Sequence, residues 1–154
     1  MNQLTHIPTA AILFFAGTTV TAIGQAENPA EALTKVHQAH AKAEADYTAS
    51  LKSEPNNANL YQQRGVVRFF QLKFTESLAD FDKFIEMTPN REPYHWQRGL
   101  VHYYAGKYKD GRKQFESHQT VNTQDVENAV WHYLCVSKID GVKAAEKLCL
   151  KITP

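Results

Sequence analysis

A stretch of thirty-four residues occurs twice in direct succession, and this repetition limits the possible folds more than any other feature. Each copy carries an Arg-Gly pair near its start and a phenylalanine sixteen residues after the glycine. The shared residues are Arg64, Gly65 and Phe81 in the first copy and Arg98, Gly99 and Phe115 in the second. Repeats of this length are typical of helical hairpins that stack on one another. The sequence therefore predicts an all-α fold, and it shows no segment with the alternating pattern of a β-sheet.

The order and spacing of these residues resemble the tetratricopeptide repeat (TPR) family. The first copy fills the family's aromatic, small, Ser, Phe and closing Pro positions with Tyr61, Gly65, Ser77, Phe81 and Pro89. The resemblance implies a short right-handed α-solenoid of about three stacked hairpins, in which the glycine lets two helices approach closely. The sequence departs from the family where an apolar residue is usual (Arg68, His102), where a small one is preferred (Phe84, His118) and at one closing proline (Thr123).

The first 26 residues differ in composition from the rest of the chain. They contain no Asp, Glu, Lys or Arg, and residues 10–20 form an apolar run. That run is shorter than the roughly 20 apolar residues of a membrane span, and small residues follow it at Ala22, Gly24 and Ala26. We therefore expect residues 1–26 to be a cleaved signal peptide and residues 27–154 to be a secreted or periplasmic helical domain without a stable membrane anchor. An uncleaved anchor and an ordinary N-terminal helix are the alternatives.

Capping signals and the repeat period predict the helices of this domain. Asn28-Pro29 has the pattern of a helix start, and neither Gly nor Pro interrupts residues 30–52. We expect one long helix there, which matches the second helix of a degenerate leading repeat. The two full repeats and a worn third copy predict further helices over residues 58–72, 74–87, 93–105, 108–121, 126–137 and 142–152.

The two cysteines, Cys135 and Cys149, both lie in the last predicted hairpin. An oxidising compartment favours a disulfide between such a pair. In an antiparallel hairpin that turns near Asp140, however, their Cα atoms lie farther apart than the roughly 7 Å that a disulfide allows. We expect two buried thiols, since a zinc site built from them and His132 also lacks the usual four ligands.

Seven histidines raise the question of metal or proton chemistry. His37 and His40 are three residues apart and His95 and His102 are seven apart, but no carboxylate stands at a recognised ligand spacing. The sequence also lacks a nucleophile elbow, a phosphate-binding glycine loop, a Cys-x-x-Cys pair and a dinucleotide fingerprint. Our interpretation is that the chain is not an enzyme and uses no cofactor or metal. An enzyme, or an accessory subunit of one, that uses His95, His102 and His132 is the alternative.

The resemblance also implies where a partner would bind, because in TPR proteins the first helix of each hairpin lines a concave surface. The matching residues here are Gln62, Val66, Phe69, Phe70, Trp96, Leu100, Tyr103, Tyr104, Val130, Leu134 and Lys138. Trp and Tyr are frequent anchors of protein interfaces, and we expect Trp96 at the middle of this surface. Packing of these aromatic residues against the leading helix or against one another is the alternative. The cationic clamp with which some family members hold a C-terminal carboxylate is absent, because its positions hold Gln62, Val66, Gln97, Glu127 and Trp131.

Charge and composition narrow the functional classes. The chain has 17 Lys and Arg against 16 Asp and Glu, with no basic stripe, so we expect no nucleic-acid partner. The sequence favours a non-catalytic, exported scaffold that binds a protein or peptide on its concave face. A self-assembling structural protein, and hence a homo-oligomer, is a further alternative, because the last predicted helix leaves an apolar face uncovered at Val142, Leu148, Leu150 and Ile152.

Overall fold

A computed structural model describes residues 28–153, and all regular structure in that range is helical. The α-helices are α1 (Pro29–Ser53), α2 (Ala58–Phe70), α3 (Phe74–Met87), α4 (Trp96–Tyr104), α5 (Tyr108–Gln119), α6 (Val126–Asp140) and α7 (Val142–Leu148), and a 3₁₀ segment, Pro89–Tyr94, precedes α4. Each α-helix packs against the next one in the chain. The prediction of an all-α fold is confirmed, and the predicted signal peptide, residues 1–26, lies outside the described residues.

Side chains cap the starts of α1 and α6, and the cap of α1 is the one that the sequence predicts. The Asn28 side chain accepts a hydrogen bond from the backbone N–H of Ala30, and Pro29 occupies the first helical position of α1. Asp125 likewise accepts a hydrogen bond from the N–H of Asn128 at the start of α6. Both caps satisfy backbone donors that have no partner inside the first turn of a helix.

The repeated glycines lie where paired helices touch. A Cβ atom at Gly65 would stand 2.6 Å from the ring of Phe81, and one at Gly99 would stand 2.6 Å from the ring of Phe115. The Ser77 hydroxyl donates a 2.7 Å hydrogen bond to the carbonyl oxygen of Gly65. Phe81 and Phe115 are each 1% exposed. Each phenylalanine therefore fills a space that only a glycine on the facing helix leaves open.

Contacts between successive hairpins also recur at the repeat distance of thirty-four residues. Arg98 donates to Asp82 at 2.7 Å, and the equivalent pair in the next unit joins His132 to Glu116 at 3.3 Å. In the unit before, Arg64 is 3.3 Å from the hydroxyl of Thr48. The side chain of one first helix thus reaches the second helix of the preceding hairpin each time.

Arg68 belongs to an ion network that joins three helices. Arg68 donates to Glu44 of α1 at 2.9 Å and to the buried Asp80 of α3 at 2.8 Å. Although burial alone would raise the pKa of Glu44, hydrogen bonds from Lys73, Arg68 and Gln71 lower it to about 2. Arg64 completes the pairing of Asp80 through two nitrogens. The network therefore ties α1 to the hairpin formed by α2 and α3.

Three predicted helix boundaries are wrong by three residues or more, and one of them is the end of α6, which continues to Asp140 and not only to residue 137. The fourth α-helix begins at Trp96 and not at residue 93, because Pro93 supplies no N–H and the chain before His95 forms a 3₁₀ segment instead. The last helix ends at Leu148 and not at residue 152. Beyond it the tail bonds to other parts of the chain, since Gln119 donates to the carbonyl of Lys151 and the N–H of Thr153 donates to Thr123.

The cysteine prediction is correct in one part and wrong in another. Neither Cys135 nor Cys149 forms a disulfide. Cys135 is fully buried, and burial raises the pKa of its thiol to about 12. Cys149 is exposed, because α7 ends one residue before it and the extended tail turns it away from the hairpin.

None of the helices over residues 28–153 combines the length and the hydropathy of a bilayer span.

Candidate functional site

Eight aromatic side chains form a continuous set of ring contacts that extends from α1 to α6. We call this set the ring cluster, and its members are His40, Phe69, Phe70, Phe74, Tyr103, Tyr104, Tyr108 and Trp131. Neighbouring ring centroids are 5.2–6.1 Å apart, within the range of favourable aromatic pairs. The cluster therefore crosses three successive hairpins without interruption.

The hairpin turns bring these rings together. The helix α2 ends at Phe70 and α3 begins at Phe74, so Phe69 and Phe74 approach to 6.1 Å across the turn. The next hairpin repeats this arrangement, with Tyr103 and Tyr108 5.4 Å apart. Tyr104 joins the two pairs, because its ring lies 5.8 Å from the rings of both Phe69 and Phe74.

The two turns have the same backbone conformation. Leu72 and Gly106 have positive φ angles of 60° and 73°, and the next residue's N–H bonds back to Arg68 and His102 respectively. This is the left-handed C-terminal cap that closes many helices. It reverses the chain within three residues and so places the last rings of each first helix beside the first ring of the second helix.

The ring cluster has a packed base and an exposed edge. Phe69 and Phe74 pack against the buried core of Leu78, Phe81 and Val101. Phe70 and Tyr104, in contrast, are 54% and 50% exposed. The base is packed into the core, while the edge exposes large apolar faces to solvent.

The two ends of the cluster come from helices outside the central pair of repeats. On α1, His40 stacks on Phe70 with centroids 5.2 Å apart and planes inclined by 14°. On α6, the Trp131 ring lies 5.3 Å from Tyr103 and 5.8 Å from Tyr104. The leading helix therefore covers only one end of the cluster.

The structure brings together four of the predicted binding residues, Phe69, Phe70, Tyr103 and Tyr104. It does not place Trp96 among them. Trp96 is half-buried at the first turn of α4, whereas Tyr103 and Tyr104 lie at the end of that helix. Over residues 28–153, the ring of Trp96 contacts no other aromatic ring. Trp96 therefore does not lie at the middle of the ring cluster.

The remaining predicted residues are dispersed over α2, α4 and α6. Gln62 bonds to Gln97 at 3.1 Å and to the ring of His95 at 2.5 Å, and Val66 packs against the same core as Phe69. The others are two half-buried leucines and two exposed residues of α6: Leu100, Leu134, Val130 and Lys138. The binding role expected of these side chains stays a prediction.

Sequence reasoning missed four members of the cluster, His40, Phe74, Tyr108 and Trp131. Phe74 and Tyr108 carry a usable signal, because both follow a hairpin turn and stand thirty-four residues apart. Trp131 gives no such signal, since its equivalents in the earlier copies are the glutamines Gln63 and Gln97.

The histidines do not converge on one site. Three of them are buried and have separate hydrogen-bond partners. His95 bonds to Gln62, His118 bonds to Pro93 and Asp125, and His132 bonds to Glu116. His102 is also buried, but neither of its ring nitrogens has a hydrogen-bond partner among the described residues. Within residues 28–153 no three His, Cys, Asp or Glu side chains lie close enough to hold a metal ion.

Comparison with known proteins gives no further identification. No protein-family model and no curated protein matches this chain. The functional proposal therefore depends on the residues described above.

Proposed function

We propose that this protein is a non-catalytic, exported scaffold with a TPR-like solenoid fold, and that it binds a protein or peptide through the exposed edge of its ring cluster. The repeated glycine–phenylalanine contacts and the hairpin-to-hairpin pairs at a spacing of thirty-four residues support the solenoid. The charge-free segment over residues 1–26 supports export.

The observation that carries the binding proposal is the exposure of Phe70 and Tyr104 beside rings that are packed into the core. A single exposed aromatic residue is ordinary on a protein surface. Here, by contrast, two half-exposed rings belong to one contact set that also contains Tyr103 and Trp131. Tyr and Trp lose little conformational freedom on binding and dominate interface energetics, so such a set provides anchors for a partner.

Truncation of Tyr104 tests the binding proposal. Tyr104→Ala should weaken partner binding by about 2 kcal/mol, which is roughly thirtyfold in affinity, while the fold persists. The partner is first captured with the wild-type protein from its native envelope fraction. Its affinity for Tyr104→Ala is then measured by isothermal titration calorimetry.

Two matched variants give this experiment its controls. Lys113→Ala changes an exposed residue of α5 and should leave binding unchanged. Trp96→Ala separates the ring cluster from the concave face that the family resemblance implies. If Trp96→Ala abolishes binding and Tyr104→Ala does not, the partner uses the concave face and the ring cluster is not the site.

Export is tested separately by the position of the mature N-terminus. We expect N-terminal sequencing of the protein from its native host to start near Gln25 or Glu27, because the small residues Ala22, Gly24 and Ala26 precede these positions. An intact Met1 on the protein in a cytoplasmic fraction would contradict export.

A further inference from the structure

His95 joins the start of α4 to the preceding hairpin. Its ring is 5% exposed and meets the rings of Phe81 and Phe84 on α3, with centroids 4.5 and 5.4 Å away. Its Nε2 atom is 2.5 Å from the side-chain oxygen of Gln62 on α2. Between Phe84 and Gly99, His95 is the only buried residue. The one buried side chain that attaches this segment to the first full repeat is therefore a titratable one.

The hydrogen bonds of His95 require a neutral ring. Gln62 donates its amide to Gln97 at 3.1 Å, so its side-chain oxygen faces Nε2 and accepts a hydrogen bond from it. Nδ1 accepts from the backbone N–H of Arg98 at 3.2 Å, an N–H that the carbonyl oxygen of His95 shares at 3.0 Å. His95 is thus the N-cap of α4. A second ring proton would lie on Nδ1 and would face the N–H of Arg98, a donor against a donor.

The charges around His95 also oppose a positive ring. Arg91 of the 3₁₀ segment and Arg98 of α4 disfavour it, and Asp82 of α3 partly offsets them. The group that faces the ring from α2, Gln62, is uncharged. A cation here would stand at the N-terminus of α4, where the helix dipole disfavours positive charge. Burial, together with the two arginines, lowers the pKa of His95 to about 4.

A small opening is sufficient to bring His95 into water. The 3₁₀ segment is attached to its own hairpin, because Ser117 of α5 donates to the carboxylate of Glu92 at 2.6 Å. A further link to the preceding hairpin, the ion pair between Arg98 and Asp82, is a surface pair of little energetic weight. Segments with few buried side chains open at a lower free energy than the whole domain. The first turn of α4 can therefore leave α2 and α3 while both hairpins stay folded.

We propose that His95 is a pH-sensitive switch whose protonation releases the first turn of α4 from α2 and α3 as a local step, before the chain unfolds. At neutral pH the ring caps α4 and holds it against the preceding hairpin. In acid the protonated ring no longer accepts the N–H of Arg98 and moves into water. The ring cluster contains Tyr103 and Tyr104 at the other end of α4, so the switch is independent of the proposed partner site.

Amide hydrogen exchange measured by NMR tests this switch, with the N–H of Arg98 as the probe. From pH 7 to pH 5 its protection factor should fall roughly twentyfold, because the opened form binds one proton with a pKa near 6.5 and the closed form does not. Global unfolding exposes both His95 and His102, so an amide that exchanges only through it should lose protection by about several hundredfold. The N–H of Phe115, in the core, should nevertheless stay better protected than that of Arg98 throughout this range.

Two variants change the chemistry of the switch. His95→Asn keeps a capping side chain that cannot be protonated, so the protection of Arg98 should no longer depend on pH. The pH dependence is compared and not the protection at one pH, so a less stable variant remains informative. Gln62→Glu keeps the ring and its packing but places a carboxylate at Nε2, which makes the closed form tolerate the charged ring. The fall in protection should then shrink to about threefold.

His37→Asn is the matched control, because His37 lies exposed on α1 and should leave the pH dependence at Arg98 unchanged. Equal pH dependence in the wild-type protein and in His95→Asn overturns the proposal, because another group would then control the opening. So does an unchanged fall in Gln62→Glu. Equal protection of Arg98 and Phe115 at every pH also overturns it, because His95 would then reach water only when the whole chain unfolds.

Discussion

Phe81→Ala should lower the free energy of unfolding by about 3–5 kcal/mol, and Phe115→Ala should do the same in the next repeat. Each ring is 1% exposed and lies against a glycine backbone on the facing helix. The glycine cannot move a side chain into the space that the ring vacates, so the cavity stays open. A small domain is stable by about 5–15 kcal/mol, and one such substitution therefore brings it close to unfolding.

Urea denaturation followed by circular dichroism measures this loss. The control is Phe70→Ala, which removes the same side chain from a position that is 54% exposed and should cost about 1 kcal/mol or less. The contrast between two identical chemical changes isolates the contribution of burial. A loss below about 1 kcal/mol in Phe81→Ala would show that this ring is not at a hairpin interface.

Local signals in the sequence predict most of the helices because the same signals occur in both full repeats. The turn after α2 and the turn after α4 have the same spacing from their glycines, and both predicted second helices begin at the observed residues, Phe74 and Tyr108. The burial of Phe81 and Phe115 follows from the same register. Periodicity is reliable here because side chains at equivalent positions meet equivalent neighbours.

Contacts between distant residues are not visible in such a pattern. The last helix stops at Leu148 because the tail exchanges helical hydrogen bonds for bonds to Gln119 and Thr123, thirty-two and thirty residues away. Cys149 is exposed for the same reason. The local sequence predicts a helix for these residues because their propensity is helical. Hydrogen bonds to distant residues override this propensity.

The candidate site, like the helices, could be predicted only in part from the sequence. Phe69, Phe70, Tyr103 and Tyr104 were predicted from their place on the first helices, and they do lie together. Trp131 completes the cluster from a third copy whose sequence no longer matches the first two. The predicted centre, Trp96, lies at the other end of α4. The family resemblance implies which helices line a concave surface, but it does not specify which turn of each helix carries the aromatic rings.

Acid should destabilise this protein strongly between pH 6.5 and about 4, because two buried histidines must take up protons when the chain unfolds. Burial, together with the charge of the nearby Arg98, lowers the pKa of His95 and of His102 to about 4. A histidine in the unfolded chain has a pKa near 6.5. Since the unfolded state binds more protons in this window, the stabilisation is complete above pH 6.5 and is lost as the pH falls through 4.

The expected loss is roughly 3 kcal/mol for each histidine between neutral pH and pH 4. Together the two approach the total stability of a small domain, so acid unfolding should begin near the middle of this window. Glu44 acts in a separate range. Its pKa is about 2, so its contribution is present above its unfolded pKa of 4.5 and is lost only as the pH falls toward 2.

His102→Leu separates the contribution of His102 from that of His95. His102 is buried, and both of its ring nitrogens lack partners among residues 28–153. Leucine removes this unsatisfied buried group, so we expect the free energy of unfolding at neutral pH to rise by about 1–3 kcal/mol. The variant should also lose about half of the decline between pH 6.5 and 4, because His95 alone then remains to be protonated.

Denaturant titrations at a series of pH values measure both effects in one experiment. His37→Leu is the control, because His37 lies exposed on α1 and its removal should leave the pH profile unchanged. If His102→Leu and the wild-type protein give parallel profiles from pH 6.5 to pH 4, His102 is not held neutral by burial. The acid sensitivity would then come from His95 or from the carboxylates that pair with arginine. The double variant His95→Gln, His102→Leu decides between these two sources. If its free energy of unfolding still declines above pH 4.5, the carboxylates are responsible.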